Sequence, residues 1–325
     1  MVRRMLSTAA ALAAAAFTTL AAAQGFPSRT ITMIVPFSAG GPTDTLGRVL
    51  AERMGKSLGQ TIVVENIAGA GGTIAINKVK QAAPDGHTIM IGHLGTHVLA
   101  PAVQELQVDY VSDFEAIGLV ATNPQVMLSK NDVPVKDLKG LIEHVKANPG
   151  KVSYGTGGPG TPSHVMAVYF GTQVGAPLNI VHYKGAGPAM QDIMAGHVDL
   201  TFDQAATALA QVKAGRVRAY AVTAKSRIAS APDIPTVDEA GLPGFYMSIW
   251  HALWAPRGTP RDAVQKLNTA LRDALSDPTI RKRFSDLGQE IPTPDQLTPE
   301  ALRAHHKAET DKWWPVIKAA GIKAQ

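Results

Sequence analysis

Two glycine-rich segments constrain this chain more than any other feature. The first is Pro36-Phe37-Ser38-Ala39-Gly40-Gly41-Pro42-Thr43-Asp44. The second is Tyr154-Gly155-Thr156-Gly157-Gly158-Pro159-Gly160-Thr161-Pro162-Ser163-His164. Each follows a run that reads as a strand and precedes a segment with helical periodicity. Glycines let a backbone come close to a ligand, and the helix start beyond them offers unpaired N–H groups and a partial positive charge. Each segment therefore has the layout of a strand–loop–helix anion cradle. Two of them imply two lobes gripping one anion.

The flanking sequence repeats this grammar. Ile31-Thr32-Met33-Ile34-Val35 reads as a buried strand, and a helix over 43–58 carries Leu46, Val49, Leu50, Met54 and Leu58 on one face before Gly59 ends it. Strands at 61–65 and 88–92 follow, with a third glycine-rich loop, Asn66 to Gly72, and a helix to about Ala82 between them. This βαβαβ order predicts an open, mostly parallel sheet. The order restarts near residue 126, with strands predicted at 126–128, 152–154, 179–183, 199–203 and 217–222. The helices of this half are predicted at 135–147, 163–171, 188–195 and 207–213. Ser226 to Pro260 reads as loop, dense in Pro and Gly and ending in Phe245, Tyr246, Trp250 and Trp254. Helices are predicted at 261–276, 278–287 and 299–319. An inserted domain explains the layout: 24–123 plus 227–325 form lobe 1, and 124–226 form lobe 2. Ligands of open α/β sheets bind beyond the carboxyl ends of the strands, where both glycine-rich loops lie.

Composition narrows the function. The chain has 325 residues, enough for two domains, and no cysteine. Disulfides, thiol nucleophiles and a lipid-anchoring cysteine are excluded. Residues 1–23 read as a signal peptide: Arg3 and Arg4, an Ala-rich apolar run from Leu6 to Leu20, then Ala21-Ala22-Ala23 for cleavage. An exported, unanchored chain fits the periplasm. The formal charge of +5 includes Arg3 and Arg4, and the longest basic run is Arg281-Lys282-Arg283, so nothing points to nucleic acid.

Catalytic constellations are scarce. The first loop lacks the Gly-Lys-Ser/Thr of a P-loop, and Gly155-x-Gly157-Gly158-x-Gly160 matches the dinucleotide fingerprint only loosely. Ser163 and His164 are adjacent, which gives no nucleophile–base geometry, and no G-x-S-x-G elbow occurs. His93 and His97 lie four apart with no third ligand nearby, so they read as solvated or loop-capping rather than metal-binding. His305-His306 reads as a solvated helix face, and Trp313-Trp314 as a helix anchor on the core. Asp44 and Asp203 sit at strand–loop–helix junctions. They serve either as helix caps or as acceptors for a ligand hydroxyl or amine.

At this point the residues fall into a known order. Val35-Pro36-Phe37-Ser38-Ala39-Gly40-Gly41-x-x-Asp44, Leu58-Gly59-Gln60, Val64-Glu65-Asn66-x-x-Gly69-Ala70-Gly71-Gly72 and Pro84-Asp85-Gly86-x-Thr88 resemble the TctC or Bug-type receptors of tripartite tricarboxylate transporters. Asp113-Phe114, Asn148-Pro149-Gly150-Lys151, the second glycine loop, His182-Tyr183-Lys184-Gly185, Gly196-x-Val198-Asp199 and Ile234-Pro235-Thr236-x-x-Glu239-x-Gly241 continue the match. The resemblance implies an α/β, two-lobed periplasmic binding protein of the Venus-flytrap, type II-like kind. Such a receptor is a monomer without cofactor, metal or membrane anchor, and it delivers a small carboxylate to membrane transporter subunits. In the family the two loops pinch one carboxylate. That role falls on Phe37, Ser38, Ala39 and Gly40, with Thr43 and Asp44 beside them, and on Thr156, Gly157, Gly160, Thr161 and His164. Tyr183, Lys184, Asp203, His93 and Thr96 shape the rest of the ligand. Pro159 and Pro162 depart from many members and leave the loop's N–H count open. Lys184, His93, His164 and His182 are candidates to add positive charge for a second carboxylate, and Phe37, Tyr183 and Trp250 to line an aromatic slot. Two other readings stand beside transport: a sensory receptor that presents its ligand to a membrane sensor, and a secreted hydrolase using Ser163.

Overall fold

The computed structural model describes residues 25–106, 110–319 and 321–323, so the signal peptide expected over 1–23 lies outside the described residues. The first sheet starts with three parallel strands, β1 (Ile31–Val35) pairing with β2 (Ile62–Asn66) and β3 (Thr88–His93). Four of the five residues of β1 are buried, as expected of a strand covered on both faces. Helix α1 (Pro42–Leu58) lays Leu46, Val49, Leu50 and Met54 against β1 and β3 and packs on α7 (Arg261–Ser276). Gly59 ends α1 in the left-handed region at φ 66°. Helix α2 (Thr73–Lys80) covers the other face.

One central strand was not legible in the sequence, and another was legible only at its end. Strand β9 (Ser248–Pro256) lies within the stretch expected to be loop, and it runs antiparallel between β3 and β4 (Phe114–Ser129). Eight of its nine residues are buried, so it shows no alternation, and the surrounding Pro and Gly mask it. Strand β4 is longer than the 126–128 expected. Gly118, Asn123 and Pro124 punctuate it, and its register against β9 shifts twice.

Strand β4 serves both sheets. Phe114 to Pro124 pairs with β9, whereas Gln125 to Ser129 pairs with β7 (Leu200–Gln204) and, from Val126, with β8 (Arg218–Val222). Beyond β7 lie β5 (Ser153–Thr156) and β6 (Asn179–His182), both parallel. Helices α3 (Leu138–Ala147), α4 (Pro162–Val174), α5 (Ala186–Met194) and α6 (Ala205–Lys213) belong to this second lobe. Ile228 and Ile234 pack with Val126, Leu128 and Met190, and Phe245 with Phe170 and Phe202. Helix α8 (Pro278–Asp286) follows α7, and α9 (Pro299–Ala319) lies along β4. His306 on α9 is not solvated, as the sequence reading had it: it is buried, with Nε2 3.0 Å from the His97 carbonyl. Among the described residues no helix is long and apolar enough to cross a membrane.

Candidate functional site

The lobes meet over the two glycine-rich loops. The Ser38 N–H and hydroxyl both donate to the Lys184 carbonyl, at 3.2 and 3.0 Å. Gln104 donates to the Pro159 carbonyl at 3.4 Å. Glycines on both sides permit this approach. A Cβ on Gly187 would stand 3.2 Å from the Ala39 carbonyl oxygen, and one on Gly71 would overlap the Pro159 carbonyl.

Between the lobes lies a cavity of about 30 Å³. By the ~10–15 Å³ that one water requires, it holds little more than a functional group. Four helices end on it: α1 through Gly41, Pro42 and Thr43, α4 through Thr161, Pro162 and Ser163, α5 through Ala186, and α6 through Gln204. None of these four N-termini has a side-chain cap. Each end leaves first-turn N–H groups without intrahelical partners and carries a partial positive charge. Pro162 is the first residue of α4, where a missing N–H costs nothing, so it does not weaken the cradle.

The walls are aromatic and histidine-rich. Phe37 stacks on His93 at 5.0 Å, and His93 meets His251 edge-on at 5.4 Å. His93 Nδ1 accepts the Gly95 N–H at 2.8 Å, so His93 caps a loop but is buried, not solvated. Burial pushes its pKa down to about 4. It is therefore neutral and carries its proton on Nε2. His164 repeats the arrangement. Its Nδ1 accepts the Gly160 N–H at 3.1 Å, and burial, reinforced by His182, lowers it to about 4. His182 is also held low by burial. These histidines offer N–H groups and not the positive charge considered for a second carboxylate.

Asp203 is the one acidic residue lining the cavity among the described residues. It is 3% exposed, and burial raises its pKa to about 6 against hydrogen bonds from the Thr207 hydroxyl and the Gln204 N–H.

The residues expected at the site divide into three groups. Phe37, Thr43, His93, Gly157, Thr161 and Asp203 line the cavity. A second group supports them. Asp44 reaches back from the first turn of α1 to the Gly40 N–H at 3.0 Å and also accepts from Arg48 and Asn66. Burial raises its pKa, but those three hydrogen bonds outweigh it and leave the carboxyl below its ordinary value. Thr96 brackets the His93 backbone, accepting its N–H and donating to its carbonyl, both at 3.0 Å. The Thr156 hydroxyl sits 2.7 Å from His182 Nδ1 and accepts the Gly158 N–H. The third group lies on the rim or further off. Ser38, Ala39, Gly40 and Lys184 form the seam between lobes, with Gly160 packed on Ala100. The Tyr183 hydroxyl donates to Asp192 at 2.6 Å, and Trp250 packs on Trp254 and His305, away from the cavity.

Sequence reasoning missed Gln125, Phe202, Gln204 and Ala186. Gln125 stands where β4 passes between sheets, and β4 gave no strand signal there. Gln204 adjoins Asp203 at the carboxyl end of β7, so the strand-end rule applied to Asp203 extends to it.

Ser163 has no base. Its hydroxyl accepts the Gly157 N–H at 3.0 Å and lies 3.2 Å from the Thr161 hydroxyl, while His164 Nδ1 is occupied by Gly160. Among the described residues no cluster of three or more potential metal ligands occurs.

One strand shared by two lobes, with uncapped helix N-termini meeting at the cavity between them, is the geometry of a solute-binding site. Residues 46–322 match the model of the tripartite tricarboxylate transporter family receptor, TctC, and the chain belongs to that family. It resembles the periplasmic binding protein BugD, at 42% identity with a TM-score of 0.89 over 92% of this chain and 100% of that one. It also resembles MatC from Rhodopseudomonas palustris, solved with bound malate, at 40% identity and a TM-score of 0.87, covering 90% of this chain and 100% of that one. A further R. palustris protein, solved with adipate, is 32% identical with a TM-score of 0.87, covering 92% and 99%.

Proposed function

We propose that this chain captures a small carboxylate between its lobes in the periplasm and delivers it to the membrane subunits of a tripartite tricarboxylate-type transporter. The observation that carries this reading is the convergence of four uncapped helix N-termini on one cavity between the lobes. A carboxylate there replaces water with fixed N–H donors. Each charge-assisted hydrogen bond contributes roughly 1.5–3 kcal/mol, and each helix end about 0.3–1 kcal/mol. Malate and adipate in the relatives' structures support a carboxylate, and the family supports the transporter. Export follows from residues 1–23, with cleavage near Ala23.

In this reading Phe37 to Gly40 and Thr156 to His164 form the two jaws, and the hinge runs through Asn123 to Gln125 and Thr223. Gln125 and Thr223 exchange hydrogen bonds there, and the Asn123 amide bridges Gln204 and Gln289. We take the lobes as 24–123 with 227–325 and 124–226, with the refinement that 227–247 packs on the second lobe. A four-carbon acid exceeds the present cavity, so entry requires the lobes to part.

A thermal-shift panel of di- and tricarboxylates, aromatic acids and amino acids tests the reading. A ligand at about 100 times its Kd adds roughly 2.7 kcal/mol of stability. No shift with any acid refutes capture. Loss of uptake of that acid on deleting the gene supports delivery, and unchanged uptake refutes it.

A further inference from the structure

The cavity holds a feature that a bare anion clamp does not require. Asp203 is a buried carboxyl lining the same cavity as the four helix ends. No basic side chain among the described residues lies within ion-pair distance of it. A carboxylate has about four lone-pair sites. The protein fills two, with the Thr207 hydroxyl and the Gln204 N–H. Thr43, Gln125, Gln204 and His93 line the cavity with it, and of these only Gln204 donates to Asp203.

A buried carboxylate with unfilled acceptor sites costs stability unless a partner arrives. Beside a bound carboxylate it also repels the ligand. The arrangement becomes favourable when the ligand itself brings a donor. A hydroxyl does so without adding charge. An ammonium would also donate, but it would enter the positive ends of four helices.

We propose that Asp203 is the specificity-determining acceptor of this site and selects carboxylates that bear a hydroxyl group beside the bound carboxylate. The proposal rests on the carboxylate-capture reading and adds the chemical class of the ligand. Thr207 is a positioning residue, since its hydroxyl holds the Asp203 carboxylate.

The test compares acids of one skeleton that differ in a single substituent: succinate, L-malate and L-aspartate, and likewise propionate, L-lactate and L-alanine. Binding is measured by calorimetry on the mature protein, Asp203→Asn and Thr207→Val. The wild type is expected to bind the hydroxy acid of at least one series about ten- to a hundredfold more tightly than its deoxy partner, the range of one hydrogen bond to a charged group. In Asp203→Asn that ratio falls toward one, while the deoxy acid binds no worse because repulsion is removed. Thr207→Val lowers the ratio in part. Equal affinity of the wild type for hydroxy and deoxy acids overturns the proposal and leaves carboxylate capture standing. A ratio unchanged in Asp203→Asn overturns it too. Tighter binding of the amino acid overturns the hydroxyl assignment. Failure of every acid to bind the wild type overturns this inference and the capture reading together.

Discussion

Acidification attacks this fold through its buried histidines. His93, His97, His164 and His251 are each 3% exposed or less, and burial pushes all four pKa values down, His93 and His164 to about 4. In the unfolded chain a histidine titrates near 6.5. Between 6.5 and about 4 the unfolded state therefore binds protons that the folded state refuses. The stability is fully present above 6.5 and is lost as pH falls. Each such group costs about 1.4 kcal/mol per pH unit in that window. From pH 7 to pH 5 His93 and His164 together remove about 4 kcal/mol, and His97 and His251 act in the same direction. Asp203 acts in the opposite sense: its folded pKa is raised to about 6, so protonation on acidification returns about 1 kcal/mol. The net loss from these three groups is about 3 kcal/mol, a large share of the roughly 5–15 kcal/mol stability of an ordinary protein. Calorimetric melts of the ligand-free protein from pH 7.5 to 4.5 measure this. Tm should fall by more than about six degrees between pH 7 and 5. A single His97→Gln variant should flatten the slope by about one proton. A Tm that holds level over this range refutes the reasoning.

Three further outcomes follow from the same geometry. Gly187→Ala places a methyl 3.2 Å from the Ala39 carbonyl across the seam, so it should hold the lobes apart and weaken ligand binding about tenfold. The same change favours helix α5 by up to about 1 kcal/mol, so raised Tm with lowered affinity is the signature, and unchanged affinity contradicts it. A bound carboxylate that lacks a hydroxyl should raise the Asp203 pKa further, so affinity for such an acid should fall as pH rises from 6 to 8, with proton uptake visible by calorimetry in buffers of different ionisation enthalpy; pH-independent affinity contradicts this. Asp44→Ala removes the acceptor of the Gly40 N–H, of one Asn66 N–H and of Arg48 and should cost about 1–3 kcal/mol in urea unfolding; a loss below about 0.5 kcal/mol removes Asp44 from its supporting role.

The outer strands and most helices could be read from periodicity because each presents one buried face to a sheet. Helix α1 is the clearest case, with Leu46, Val49, Leu50 and Met54 on one side and Gly59 at its end. Strand β9 and the Phe114–Gln125 part of β4 could not, because burial on both faces erases alternation and Pro124 interrupts the run. Position on the chain revealed the glycine loops but not side-chain direction. Phe37 and His93 face the cavity, whereas Tyr183 and Trp250, equally suited by type, turn to Asp192 and to α9. The neutrality of His93 and His164 comes from burial and from accepted backbone N–H groups, neither of which a sequence displays. His306 misled for the same reason: its neighbours on α9 are polar, but its partner is the carbonyl of His97.

The central claim is that the helix N-termini of both lobes hold one carboxylate. A crystal structure of the mature protein with the acid giving the largest thermal shift tests it most directly. The account predicts carboxylate oxygens within hydrogen-bond reach, directly or through one water, of N–H groups at the start of α1 in one lobe and of α4 or α5 in the other. A carboxylate bound by one lobe alone, or outside the cavity lined by Thr43, Thr161 and Ala186, would contradict it.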